Sequence, residues 1–189
     1  MNLRYYYWYF KKEIPLDFCN KIIKHGKSRN IVQARTGDFT KKESLSEKET
    51  SDLKKTRDSQ VSFFSDRWIY DALLPLVKEA NINAEWNFDI EWTEPMQFTE
   101  YGLNQHYDWH CDSWDRPYDD PENSSRHNKI RKISTILSLN DSSQYEGGEL
   151  EFSYHQQHPD LPQRRVLCQE IKEPGSLVIF PSNLWHHVK

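Results

Sequence analysis

His110 and Asp112 stand two residues apart at the end of QFTEYGLNQHYDWHCD (97–112), an imidazole and a carboxylate within reach of one ion. On an extended strand residues i and i+2 share a face, so both side chains point one way and Cys111 the other. Neutral imidazole and ionised carboxylate make a mixed N/O donor set. One more imidazole would complete the two-His-one-carboxylate triad that holds Fe(II) with open positions. LVIFPSNLWHHVK, at the end of the sequence, offers that donor as His186 or His187, which alternate faces on a strand so that only one can point inward. A His-x-Asp pair arises readily by chance in a chain with 8 His, so the surroundings must carry the argument.

Those surroundings are ordered. Tyr101 and Tyr107 precede the pair in Y-x5-Y-x-x-H-x-D, and RKISTILSLN (131–140), EGGELEF (146–152) and PGSLVIFPSNLWHHV (174–188) follow. Over residues 97–188 this set resembles the Fe(II)/2-oxoglutarate-dependent oxygenases of the prolyl 4-hydroxylase-like branch; before Gln97 the likeness is loose. The resemblance implies a mainly β fold with flanking α-helices, a double-stranded β-helix (jelly roll, cupin-like). It implies His110, Asp112 and His186 as metal ligands and catalytic centre. His186 is selected over His187 by F-P-S-x-x-x-H-x-V, which matches Phe180, Pro181, Ser182 and Val188, and His187 falls where relatives often carry Arg.

The same resemblance implies that 2-oxoglutarate occupies two open positions of the iron and O2 the third, with succinate and CO2 released and an unactivated C–H bond hydroxylated. Ascorbate is the implied reductant, and a prolyl residue of a peptide or protein the implied substrate. Tyr101 matches a tyrosine whose hydroxyl bonds the far carboxylate of 2-oxoglutarate, and Ser134 a threonine lining that pocket. Asp at 112, rather than Gly or Ala, argues against a halogenase. One feature departs from the pattern: the family places an Arg or Lys, and a last strand, beyond the distal His, whereas this sequence ends at Lys189. A buried carboxylate without a cation is costly. The expectation is therefore a chain truncated before its final strand, or Arg131, Lys132 or Arg164 acting instead, or a protein that does not use 2-oxoglutarate. The competing functions are a non-catalytic jelly-roll binding module and a cupin-like metal enzyme of another type, such as an isomerase.

Composition narrows the class. At 189 residues one domain is expected, with a core rich in aromatic side chains, which make up 14% of the chain. The 25 basic against 29 acidic residues, a net charge of −4, argue against a nucleic-acid partner. No apolar run approaches the ~18 residues of a membrane span and no leader is seen, so a cytoplasmic monomer without membrane attachment is expected. Cys19, Cys111 and Cys168, odd in number and far apart, read as reduced thiols.

The elements that must position the site follow from periodicity. Residues 3–10 read as a strand, and Pro15 opens a helix with Leu16, Cys19, Ile22 and Ile23 on one face and Gly26 as its stop. Residues 37–59, with only Phe39, Leu45 and Leu53 to bury, read as a mobile loop. VSFF (61–64) reads as a strand. A helix from about Asp66 to Ala80 follows, capped by Ser65, kinked or split by Pro75 and stopped at Asn81. WNFDIEW (86–92) and MQFTEY (96–101) read as a strand pair, 113–128 as a polar loop, and Ile133–Leu139, Leu150–Phe152, Val166–Ile171 and Leu177–Phe180 as short strands. His25 sits at a helix end; His106, His127, His155 and His158 lie in polar, loop-like segments. Cys111 reads as a small core residue, Trp109, Trp114 and Trp185 as packing around the site, and Gly147, Gly148 and Gly175 as turns needing positive φ.

Overall fold

Leu177–Pro181 is buried at all five positions, and its alternation feeds two cores at once. Leu177 and Ile179 pack on one side with the helices; Val178 and Phe180 pack on the other with Leu150, Phe152 and Leu184. A continuous apolar run is what a strand covered on both faces requires, and the period of two sorts its residues between the cores. The computed structural model describes residues 5–37, 40, 42–113, 116–154 and 164–189. The expectations for Phe39, Trp114, His155 and His158 lie outside the described residues.

In chain order the elements are β1 (Trp8–Phe10), α1 (Leu16–Lys27), β2 (Val32–Gln33), α2 (Glu47–Thr56), β3 (Arg57–Asp58), β4 (Gln60–Phe64), α3 (Arg67–Asn83), β5 (Met96–Glu100), β6 (His106–His110), β7 (Ile133–Leu137), β8 (Leu150–Ser153), β9 (Arg165–Leu167), β10 (Leu177–Pro181) and β11 (Trp185–Val188). They form three sheets in the orders β1-β10-β7, β3-β6-β11-β8-β9 and β2-β4-β5, antiparallel at every pairing. The first two enclose the core around Phe152 and Phe180. The third shares with α1 and α3 the core built from Cys19, Ile22, Phe64, Ile69, Leu73, Val77 and Phe98. The fold is mainly β with flanking helices, the double-stranded β-helix expected.

Several local expectations are corrected. Residues 47–56 are not loop but helix: Ser46 accepts from the Glu49 N–H while the Glu49 carboxylate accepts from the Ser46 N–H, and Leu53 is wholly buried. The S-x-x-E capping box was present in the sequence, and its reciprocal bonds offset the shortage of apolar residues. Gly26 does not end α1, which runs to Lys27; it lies where α1 crosses β5, and a Cβ there would overlap the Phe98 ring. Asp66, not Ser65, is the N-cap of α3, and its carboxylate is taken by His25 at 2.8 Å and by Arg29 instead of the helix N–H groups.

Pro75 sits inside α3 without breaking it, held by the buried face of Ile69, Leu73, Val77 and Ala80. Asn81 does not stop the helix; its amide donates to the Phe88 carbonyl and its side-chain oxygen accepts from the Phe88 N–H, pinning the following segment. That segment, 86–92, is not a strand. Positive φ at Glu85 and Asn87 turns the chain, and Trp86, Phe88 and Ile90 pack on the helical core without a strand partner, so β5 pairs with β4.

Candidate metal centre

β6 and β11 are neighbours in one sheet, and their register sets His186 directly opposite His110. Further along, the pairing slips so that Val188 faces Tyr107, which leaves an extra residue on β6 at the bulge before His110. β6 ends at His110, so Asp112 is not a strand residue as the sequence suggested. The chain bends after the strand, and the backbone N–H groups of Asp112 and Ser113 both donate to the Ser182 carbonyl, at 2.9 and 3.0 Å. The bend, and not the period of the strand, aims the carboxylate. His110, Asp112 and His186 offer donor atoms all within 4.8 Å of one another; each histidine Nε2 lies 3.7 Å from an Asp112 oxygen.

The histidines are oriented alike. Each Nδ1 contacts the backbone carbonyl two residues before it, His110 that of Asp108 at 2.8 Å and His186 that of Leu184 at 2.9 Å. A carbonyl only accepts, so Nδ1 carries the proton and the Nε2 lone pair faces the third ligand. Burial, then the facing His186, holds His110 well below the usual histidine value; burial likewise holds His186 low, against the opposing pull of Asp112. Both rings are therefore neutral donors. His110 is stacked under Tyr107 with ring centroids 3.5 Å apart, and His186 packs edge-on against Phe180 at 4.8 Å.

Asp112 is held from behind. Ser134, on β7, donates to Oδ2 at 2.6 Å and exchanges a hydrogen bond with Ser182 at 2.9 Å. Arg131 donates to the Asp112 carbonyl at 2.9 Å while its guanidinium pairs with Glu94. Burial alone would raise the Asp112 carboxyl; the two imidazoles, Ser134 and Arg131 outweigh it and keep the group below the usual aspartate range. Side-chain exposure rises from 4% at His186 through 13% at His110 to 26% at Asp112, so the triad opens to solvent on the Asp112 side.

Two neutral imidazoles and one carboxylate, pinned from outside and open on one side, fit an Fe(II) ion. Ser134 meets the Asp112 carboxylate. Tyr101 follows β5 and is 37% exposed; burial of its ring raises its hydroxyl, and Arg57 opposes that effect. His187 points away from the triad, paired with Glu151 at 2.9 Å and stacked on Trp109. Cys111 donates to the Asn183 carbonyl and is only half-buried, yet burial followed by Asp112 pushes its thiol up to about 12, so it stays protonated. His106 lies on β6, not in a loop. Three residues that support the site carry little signal in the sequence: Ser182, Glu94, and Arg57, which β3 sets opposite Tyr107.

 Ser182 was visible only as part of F-P-S, and Arg57 only as the first of the buried alternation Arg57, Ser59, Val61 at the end of a charged run.

The comparisons agree with this geometry. Residues 96–189 match the family model of the 2OG-Fe(II) oxygenase superfamily. No curated protein sequence matches the chain. Among solved structures, a prolyl-4-hydroxylase of Pseudomonas putida is similar with a TM-score of 0.64 at 16% identity, covering 98% of this chain and 85% of the other. The viral collagen prolyl hydroxylase of Paramecium Bursaria Chlorella virus-1, solved with 2OG, gives 0.61 at 16%, covering 98% and 90%. A Trichoplax adhaerens prolyl hydroxylase, in complex with a hypoxia inducible factor oxygen degradation domain peptide fragment, gives 0.66 at 15%, covering 97% and 77%. At these identities the likeness is one of fold.

Proposed function

Because residues 96–189 match the 2OG-Fe(II) oxygenase superfamily, we propose that the chain is an Fe(II)- and 2-oxoglutarate-dependent dioxygenase, with residues 1–189 as one catalytic domain, that hydroxylates a prolyl residue of a peptide or protein. The observation that carries this reading is the convergence of His110, Asp112 and His186 with their donor atoms within 4.8 Å and their other side open. When bound, the iron couples oxidative decarboxylation of 2-oxoglutarate, to succinate and CO2, with insertion of one oxygen atom of O2 into a substrate C–H bond.

The chain's own residues supply position and shielding. Asp108 and Leu184 hold the imidazole protons outward, and Ser134 holds the carboxylate. Ser134 spends its hydroxyl on Asp112 and Ser182, so in this reading it orients a metal ligand more than it lines the cosubstrate pocket. Phe152 and Phe180 are wholly buried beside His186 and keep water from the inner face of the site. Tyr101 is the hydroxyl donor offered to the cosubstrate. The prolyl substrate is supported by the fold shared with three prolyl hydroxylases, one of them holding a peptide fragment. A cytoplasmic setting, with ascorbate as reductant, completes the reading, and no helix among the described residues is long and apolar enough to cross a membrane.

The test is succinate formation from 2-oxoglutarate with Fe(II), O2 and ascorbate, followed by a screen of proline-containing peptides for addition of one oxygen atom by mass spectrometry. No succinate in the presence of bound metal, with or without peptide, would remove the oxygenase assignment. Succinate with oxygen added to residues other than proline would remove the prolyl part alone.

A further inference from the structure

Arg57 is a buried cation that meets no carboxylate among the described residues. The residue is 6% exposed. Its Nε donates to the Ser59 hydroxyl at 3.0 Å, and its guanidinium lies 4.4 Å from the centroid of the Tyr107 ring. Tyr107 is the ring stacked on the metal ligand His110. The placement is dictated by the sheet: β3 pairs with β6 so that Arg57 is the direct partner of Tyr107.

Arg131 makes the contrast. It also lies against the site, but its guanidinium is committed to Glu94 and to the Asp112 carbonyl, so it is already neutralised. Neither Lys132, over the Phe88 ring, nor Arg164, over Tyr154, contacts the triad. Taking a guanidinium out of water without an opposite charge is costly, and a planar fork with unused N–H groups matches a carboxylate bidentately.

We propose that Arg57 binds the distal carboxylate of the 2-oxo acid cosubstrate, holding it beside the metal triad from β3. The proposal rests on the oxygenase reading above. A dicarboxylate that meets the metal through its 2-oxo acid end leaves its second carboxylate for a cation on the same side of the sheet, and among the described residues Arg57 is a cation left without a carboxylate there. The hydroxyls of Tyr101 and Tyr107 both lie within the field of Arg57, which works against the upward push of burial on each, so the three groups are neighbours.

The experiment measures binding, not turnover. The Mn(II)-loaded protein is titrated calorimetrically with 2-oxoglutarate and with 2-oxobutyrate, which has the same 2-oxo acid end and no distal carboxylate. Wild type is expected to prefer 2-oxoglutarate by about a hundredfold, the scale of a buried charge-assisted pair. Arg57→Gln is expected to lose that preference while its affinity for 2-oxobutyrate and for Mn(II) stays unchanged, and Arg57→Lys to retain part of it. A folded, Mn(II)-loaded Arg57→Gln protein that still prefers 2-oxoglutarate overturns the assignment, as does equal binding of the two acids by wild type. Should Arg57→Gln not fold, loss of the whole preference in Arg57→Lys supports the assignment and an undiminished preference overturns it. Failure of wild type to bind either acid would instead sink the oxygenase reading, and the proposal with it.

Discussion

His110 and His186 are cross-strand partners whose ring centroids lie 4.1 Å apart, the one buried under Tyr107 and the other against Phe180. Facing positions in an antiparallel pair bring side chains as close as a helix turn does, so two imidazoles distant in sequence become one donor pair. His110→Ala, Asp112→Ala or His186→Ala should each abolish Fe(II) binding in a metal titration, with the thermal melt little changed for the two half-buried ligands. His187→Ala should keep the metal and lose only the contacts with Glu151 and Trp109. Equal loss of metal in His186→Ala and His187→Ala would mean that the wrong neighbour has been assigned.

Ser134 gives a second test, because its hydroxyl holds the Asp112 carboxylate from behind. Removing such a partner typically weakens metal affinity about 10- to 100-fold. Ser134→Ala should show that loss by calorimetry with Mn(II), and Ser134→Thr, which keeps the hydroxyl, should restore most of it. Unchanged affinity in Ser134→Ala would show that the backbone N–H bonds of Asp112 and Ser113 to Ser182 suffice to orient the carboxylate.

Acid should destabilise the metal-free protein. His110 and His186 are held below their ordinary value chiefly by burial, whereas in the unfolded chain they titrate near about 6.5. Between the folded and unfolded values the unfolded chain binds more protons, so stability rises with pH there: the contribution is complete above about pH 6.5 and is lost as the pH falls toward the folded values. The apo melting temperature should therefore drop from about pH 7.5 to about pH 5.5. Replacing both histidines by Gln should flatten the profile in that range, and a melt that rises on acidification would contradict the neutral-imidazole assignment.

Two glycines are fixed by what a Cβ would meet, and at Gly26 this runs against helix preference. Alanine at Gly26 would gain about 1 kcal/mol of helix propensity, but its methyl would overlap the Phe98 ring, and overpacking typically costs about 1–3 kcal/mol. Gly26→Ala should be net destabilising in urea unfolding. Gly175→Ala should be worse, since the residue sits at φ +80° with its missing Cβ against the backbone carbonyl of Ile14, whose own N–H donates to the Gly175 carbonyl at 3.1 Å and would be displaced with it. A stabilised Gly26→Ala protein would mean that Phe98 can shift at little cost.

Local chemistry was legible in the sequence. The donor types at 110, 112 and 186, the apolar run at 177–181 and the glycines at 147, 148 and 175 each follow from side-chain chemistry or backbone sterics, which act over a few residues. The S-x-x-E box at Ser46 was equally local, and only the low apolar content of its surroundings hid it. What tertiary structure alone decided is which distant groups meet. The slip between β6 and β11, the bend that carries Asp112 to the Ser182 carbonyl, and the pairing of β3 that sets Arg57 over Tyr107 depend on strand register and on which strands are neighbours. A charged run such as KKTRDS looks solvated by composition, and only the sheet that closes over it buries one of its cations, because the free energy of that burial comes from partners far away along the chain.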